Sequence, residues 1–490
     1  MEFNDHEESR LSNLNDLKEE GVDPYPTKSS DNRSKIALVS ASFESLVENE
    51  KEIVIEGRMI LKRVMGGSSF AQIEDDSGVL QIFLNKKRMG EEEYNRFRYK
   101  TDLGDIISVR GHAFYTRTEE ATLKVENWTL LSKSLTPLPD KHEGLKDIET
   151  RFRNRHLDLI SNPEVRETFK TRAKVISRLR SYLDGAKFLE VETPVLHPIY
   201  GGASARPFTT HHNQLHQDLF LRIAPELYLK RLLAGGLERV YELGKVFRNE
   251  GVDRSHNPEF TSLEVYQAYA DYETMMDLTY GLVNEVVTAI HGSYEFEYDH
   301  KTLNFIEWDR MTLADSIKKH SVDELDIMSH RSLESLRDAI KARGMAVKEC
   351  STWAQTVDAI FGAYVEPNLI NPTFITDYPV ELSPLAKRKR DNPNLTERFE
   401  VFVAGMEIAN AFTELNDPLE QEQRFLDQGR AYDAGDDEAM QMDEDYVRTL
   451  MVGMPPSGGL GIGVDRLVMI LTDNPSIREV VLFPHLRSEE

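Results

Sequence analysis

The spacing of apolar residues changes along the chain. At the N-terminus Leu11, Leu14 and Leu17 stand at helical spacing before a Pro24-Tyr25-Pro26 break, predicting a short helical arm over residues 1–50. From Ile53 the period becomes two. Ile53, Ile55, Met59 and Leu61 alternate with polar residues, and further strands are predicted over 70–73, 79–84, 106–115 and 122–131. Gly66-Gly67 and Asp75-Asp76-Ser77-Gly78 supply turns between them. Short strands at this density predict a small closed barrel. A helix predicted over 91–99 favours a five-stranded oligonucleotide-binding (OB) barrel at 51–135 over a sandwich.

Pro137, Pro139 and Gly144 mark a linker over 136–161, and a second domain is expected over 162–490. It opens with a helix carrying Val175, Ile176, Leu179 and Leu183 on one stripe and ending near Gly185. Long alternating segments follow, interrupted by helices, with a helical insertion expected near 310–365. This pattern predicts an α+β domain on a largely antiparallel sheet, without regular βαβ winding.

Composition adds limits. The 490 residues are 40 % hydrophobic and 29 % charged, an ordinary globular balance with room for two or three domains. No apolar run approaches the roughly 18–20 residues of a membrane span. Acidic residues at Glu2, Asp5, Glu7 and Glu8 are the wrong charge for a presequence, and the expected location is cytoplasmic. Cys350 is the single cysteine, which excludes an intramolecular disulfide and a Cys-built zinc site.

The net charge is −25, which argues against coating nucleic acid by bulk charge. It is unevenly spread: residues 51–180 hold 25 basic and 20 acidic residues, a balance of +5 that leaves −30 elsewhere. Residues 417–445 alone carry eleven acids against Arg424 and Arg430, which reads as a solvated helical surface.

Three strand-like segments carry polar residues between apolar ones. Period two puts Glu242 with Arg248, Glu264 with Tyr266, and Asn410 with Phe412 and Glu414, while Ala409, Ala411 and Thr413 take the opposite face. One such strand reads as half-exposed; three predict a polar cleft across one sheet. Gly459, Gly461 and Gly463 alternate, leaving one strand face bare for close approach of a ligand or backbone. Neither Gly-x-Gly-x-x-Gly nor a Gly-x-x-x-x-Gly-Lys-Ser/Thr loop is formed, so a nucleotide must be held by another scheme. Glu400 and Glu407 suit Mg²⁺ with phosphate oxygens, or a salt-bridged structural role. His211, His212 and His216 lack a fourth zinc ligand and read as a polar mobile loop, and Lys387–Arg390 reads as an exposed loop.

Phe247-Arg-Asn-Glu-Gly251 with His256-Asn-Pro-Glu-Phe260 resembles motif 2 of the class II aminoacyl-tRNA synthetases (about 240–270). Phe188-Leu-Glu-Val-Glu-Thr-Pro194 resembles motif 1 (about 166–194), and Gly459-Leu-Gly-Ile-Gly-Val-Asp-Arg466 motif 3 (about 457–484). Gly201-Gly-Ala-Ser-Ala-Arg-Pro-Phe208, Ala224-Pro-Glu-Leu-Tyr-Leu-Lys-Arg231 and Asn410-Ala-Phe-Thr-Glu-Leu-Asn-Asp417 narrow the resemblance to class II lysyl-tRNA synthetases, over nearly the whole chain. No His-Ile-Gly-His or Lys-Met-Ser-Lys-Ser segment of the unrelated class I enzyme occurs.

The resemblance implies lysine activation by ATP and transfer to tRNA(Lys), by a homodimer. Arg248 would hold the α-phosphate and the lysine carboxylate. Arg466 and Phe260 would sandwich the adenine, with Glu250, His256, Asn257 and Gly463 nearby. Glu400 and Glu407 would bind two or three Mg²⁺ ions with the ATP. Gly202 and Glu226 would receive the lysine α-amino group and Asn410 its carboxylate. Glu414 and Tyr266 would take the ε-ammonium, beside Glu264 and Phe412. On the barrel, Phe70 would stack on an anticodon base, Gln81 and Glu120 would bond base edges, and Arg58 and Lys62 would contact phosphates.

Met406, Ala409, Ala411 and Glu119 depart from the family's usual residues, the last three from glycines. An aspartyl- or asparaginyl-type enzyme shares the architecture but would call for a cation where Glu414 and Tyr266 stand. A relative that lysylates a protein would lack the barrel. A non-catalytic relative would lose Arg248, Arg466, Glu400 or Glu407, all of which are present.

Overall fold

A computed structural model describes residues 3–139, 145–433 and 440–487. Residues 140–144 of the expected linker and 434–439 of the acidic run lie outside the described residues. The chain divides into two compact units, Met1–Lys146 and Asp147–Glu490.

In the first unit, strands Glu52–Met65, Ser68–Asp75, Gly78–Asn85, Ile106–Tyr115 and Ala121–Ser132 close into a barrel in the order first, second, third, fifth, fourth. Alternation drives the closure: Ile55, Met59, Ile73, Ile82, Leu84, Val109 and Leu123 all point inward and are fully buried. Helix Glu91–Lys100 adds Tyr94 and Phe97 to that core. The arm contains more than the expected single helix. After Asp5–Glu19, capped by an Asn4–Glu7 capping box, helices Ile36–Ala41 and Phe43–Glu48 press Ile36, Val39 and Phe43 into the barrel core.

One irregularity in the first strand decides what its basic residues do. Pairing with the second strand slips between Met59 and Leu61, so Lys62 lies opposite inward-facing Ala71 and Arg63 lies opposite Phe70.

The second unit is built on an eight-stranded sheet among the described residues. Its order is Asp309–Thr312, Thr373–Thr376, Arg398–Val403, Met406–Thr413, Ser457–Gly463, Glu259–Ala268, Arg239–Phe247, Leu189–Glu190. The two outermost pairs are parallel and the rest antiparallel. Helices Pro163–Gly185, Tyr272–His291 and Val464–Leu471 cover one face. Val175, Leu179, Leu183, Val283, Val287, Leu467 and Ile470 join Ala409 and Ala411 in the core there. Both alanines are buried in that packing, which places two of the departures from glycine on the apolar side of the strand. The opposite face is left for a cleft.

Helices Leu313–His320, Leu333–Ala342 and Trp353–Tyr364 form a satellite core with Ile375 and Phe402. One loop expectation is corrected. Thr209–His212 pairs with Gln217–Leu221 as a hairpin, in which His211 Nδ1 lies 2.6 Å from Asp218 Oδ1. Lys387–Arg390 lies outside the named helices and strands with Arg388 and Arg390 exposed, while Lys389 pairs with Asp377 at 2.8 Å and Lys387 donates to Asn416. No helix among the described residues is long and apolar enough to cross a membrane.

Candidate active site

The bare sheet face carries a cavity of about 410 Å³. Cross-strand register assembles it. Glu264 lies opposite Gly461, Tyr266 opposite Gly459, Phe412 opposite Gly459, and Asn410 between Gly461 and Glu400. Residues directly opposite share a face, so the glycine strand forms a floor without side chains between two functional strands.

At one end, Arg248 follows strand Arg239–Phe247, with its backbone fixed by a bond to the Pro258 carbonyl (2.9 Å). Its guanidinium lies 5.1 Å from the centre of the Phe260 ring, and its buried Nε has no partner among the described residues. A buried donor without an acceptor is costly, and this one is available to an anion. Arg466 donates to the Glu407 carbonyl (2.8 Å) and carboxylate (3.3 Å), and its Nη2 is 3.2 Å from His256 Nε2. The His256 ring is in turn held by Asp253. Asn257 donates to the Glu259 carbonyl, leaving Oδ1 unpaired. Glu250 and Gly463 also line this end.

Glu400 and Glu407 lie on adjacent strands and both face the cavity. Burial pushes the Glu400 carboxyl up to about 7; Arg398 opposes that and Glu407 adds to it. Arg398, which motif matching did not single out, holds this part together. It donates to Glu400 (2.5 Å), Asn410 Oδ1 (3.1 Å), the Leu382 carbonyl (2.6 Å) and Ser383 Oγ (3.0 Å). Its signal was its place two residues before Glu400, on the same strand face.

The far end is acidic. Glu226 opens helix Glu226–Ala234 and lines the cavity beside Gly202, whose φ of +89° is in the left-handed region. A Cβ on Gly202 would lie 3.0 Å from the Glu226 Cβ. Tyr266 donates its hydroxyl to Glu264 (3.0 Å). Burial, with the field of Glu226, pushes the Glu264 carboxyl up to about 8, against the bond from Tyr266.

Glu414 stands apart from the other expected residues. It is fully buried behind the wall, with Oε2 against the Lys230 ammonium and Oε1 unpaired. Oε1 occupies space that only a glycine leaves, since a Cβ on Gly459 would come within 2.0 Å of it.

Glu242 shares the cleft face as expected but does not line the cavity. Arg222 covers it in a buried ion pair, and Thr193 donates to it.

On the barrel, Phe70 packs against Phe83 (4.9 Å between centroids), and Phe83 against Phe114 (6.0 Å). The three form an aromatic row on the outward face. Phe83 and Phe114 were legible from strand parity, Phe83 being two residues from Gln81. Gln81 donates to Thr122 Oγ1 (2.9 Å), and Glu120 is exposed beyond the turn. Glu119 has φ +60°, so the family's glycine there answers a left-handed backbone.

The phosphate contact expected of Lys62 is corrected. Lys62 donates to the Phe97, Arg98 and Thr101 carbonyls at 2.8–3.0 Å, capping the C-terminus of helix Glu91–Lys100. The register slip turned it away from the face of Phe70. Arg58 donates to the Gly104 carbonyl (2.8 Å). Other charges of the basic stretch are also used internally: Arg151 and Arg155 pair with Asp158, and Arg172 with Asp465.

The family models agree with both units. Residues 147–487 match the class II tRNA synthetases (D, K and N), and residues 53–131 the OB-fold nucleic acid binding domain. The chain is 54 % identical to the lysine–tRNA ligase of Roseiflexus sp. (strain RS-1) over 492 residues, covering 100 % of each. It is 52 % identical to that of Chloroflexus aurantiacus, with 99 % of each covered. For Bacillus cereus (strain G9842) the identity is 48 %, over 100 % of this chain and 98 % of the relative. A polar cleft on an antiparallel sheet, the OB barrel and full-length identity converge: the chain belongs to the lysine–tRNA ligase family of class II tRNA synthetases.

Proposed function

We propose that the protein activates L-lysine with ATP, forming lysyl-adenylate and pyrophosphate, and transfers the lysine to the 3′-terminal ribose of tRNA(Lys). The observation that carries this is the charge of the closed end. Glu226, Glu264 and Glu414 stand there against one ammonium, Lys230, leaving capacity for two positive charges. Lysine brings two ammonium groups, and its single carboxylate meets Arg248. An aspartate side chain would be repelled, which disfavours the aspartyl-type reading.

The chain's residues suit activation by positioning. A lysine carboxylate oxygen attacks the α-phosphorus as the bond to the pyrophosphate oxygen breaks. Arg248 steadies both the nucleophile and the α-phosphate, so no proton transfer is required. Phe260 and Arg466 offer two faces for the adenine. Glu400 and Glu407, on adjacent strands and both lining the cavity, form an oxygen-only pair suited to Mg²⁺. Magnesium bound there would neutralise triphosphate charge. Exposed Leu189, Val195, Leu196 and Ile199, in and just after motif 1, support a homodimer.

Binding has a proton signature. The empty pocket holds a proton on Glu264 below about pH 8, and an arriving ammonium favours the ionised carboxylate. Lysine binding at pH 7 is therefore expected to release about one proton, and lysine affinity to rise with pH toward 8. Calorimetry in two buffers of different ionisation enthalpy reads this; no release, or release unchanged in Glu264→Gln, contradicts it.

Charging of tRNA(Lys) tests the whole reading. Wild-type protein is expected to form lysyl-tRNA, and Phe70→Ala to raise the KM for tRNA about tenfold or more, the value of one lost stack. Lysine-dependent pyrophosphate exchange should be unchanged. Equal tRNA KM values would remove Phe70 from the interface, and no charging would overturn the function.

A further inference from the structure

Lys230 lies on helix Glu226–Ala234, one turn after Glu226, and is fully buried. Its neighbours Leu227, Leu229 and Leu233 account for the helix's packing, so burial of a charge needs another reason. The ammonium contacts Glu226 Oε1 and Glu414 Oε2 and sits 5.2 Å from the centre of the Phe412 ring. It joins the first residue of the helix to the residue following strand Met406–Thr413, and does so from behind the cavity wall.

We propose that Lys230 is a positioning residue for the amino-acid end of the site. It fixes Glu226 and Glu414 by one oxygen each and sets the cationic charge the pocket accepts at two. This rests on the lysine-activating function proposed above. Glu414 Oε1 is the second observation: a buried, unpaired carboxylate oxygen standing over Gly459 and beside Tyr266. Lys230 leaves that oxygen for a ligand. Burial alone would lower the Lys230 pKa, but Glu226 and Glu414 more than reverse this and keep it charged. Without it, three buried carboxylates would face the two ammonium groups of lysine, and the surplus charge would be relieved by protonation or movement of the groups that bind substrate.

Lys230→Gln, Glu414→Gln and the double variant, assayed by lysine-dependent ATP–pyrophosphate exchange, test this. Lys230→Gln is expected to raise the KM for lysine about 100-fold, with the KM for ATP within about twofold. The double variant is expected to fall at least about tenfold short of the product of the two single defects, because Lys230 acts in part through the Glu414 carboxylate and the surplus charge is removed with it. A merely structural ion pair would lower the melting temperature and leave the lysine KM within about threefold, which overturns the inference. Defects that multiply in the double variant also overturn it. If Lys230→Gln alone does not fold, the double variant removes both charges, and the same expectation puts its lysine KM within about tenfold of that of Glu414→Gln. Lysine-dependent exchange by the wild type separates failure of this inference from failure of the function.

Discussion

Replacing Arg248 by alanine is expected to lower lysine-dependent ATP–pyrophosphate exchange about 10³-fold. The guanidinium is fixed at its base by the backbone bond to Pro258 and lies along Phe260, and its buried Nε lacks any partner among the described residues. It is therefore preorganised for an anion that the protein itself does not supply. Both reacting groups, the amino-acid carboxylate and the α-phosphate, are anionic, and only a cation between them offsets their repulsion. The loss should fall mainly on kcat, with a folded protein by circular dichroism and an unchanged melting temperature. Exchange within tenfold of wild type would show that Arg248 does not touch the reacting atoms.

Gly459→Ala is expected to raise the KM for lysine about 100-fold while sparing that for ATP. The argument is steric. The added Cβ would meet Glu414 Oε1 at 2.0 Å, directly behind the wall of the pocket's closed end, and the Tyr266 ring, which lines that end, at 2.6 Å. The surrounding strand pairs on both sides, so the backbone has little freedom to move away. Gly461, two residues on, has only contacts of 3.8 Å or more, and the same substitution there should be far milder. Equal effects at the two positions would contradict the close approach at Gly459.

Sequence carried the barrel and the cleft because both are written in period-two alternation. Ile73 and Ile82 went inward and Phe70 and Gln81 outward as parity required. Asn410, Glu264 and Tyr266 met on one sheet face for the same reason. Lys62 was misplaced because a bulge between Met59 and Leu61 leaves no mark in composition, yet it exchanges the faces of every residue after it. Lys230 was invisible for a different reason. On a short amphipathic helix a lysine reads as solvent-facing, and its burial is caused by Glu226 and by Glu414, which is far away in sequence. Arg398 lay between: its strand face was readable, but its four acceptors come from three separated segments.

Amino-acid-dependent ATP–pyrophosphate exchange, measured with each of the twenty amino acids in turn and Mg²⁺ present, addresses the central claim most directly. Exchange driven by lysine, with the other nineteen near background, is the predicted result. Exchange driven by aspartate or asparagine, or none with any amino acid, would contradict the reading of the Glu226, Glu264 and Glu414 pocket as a site for lysine.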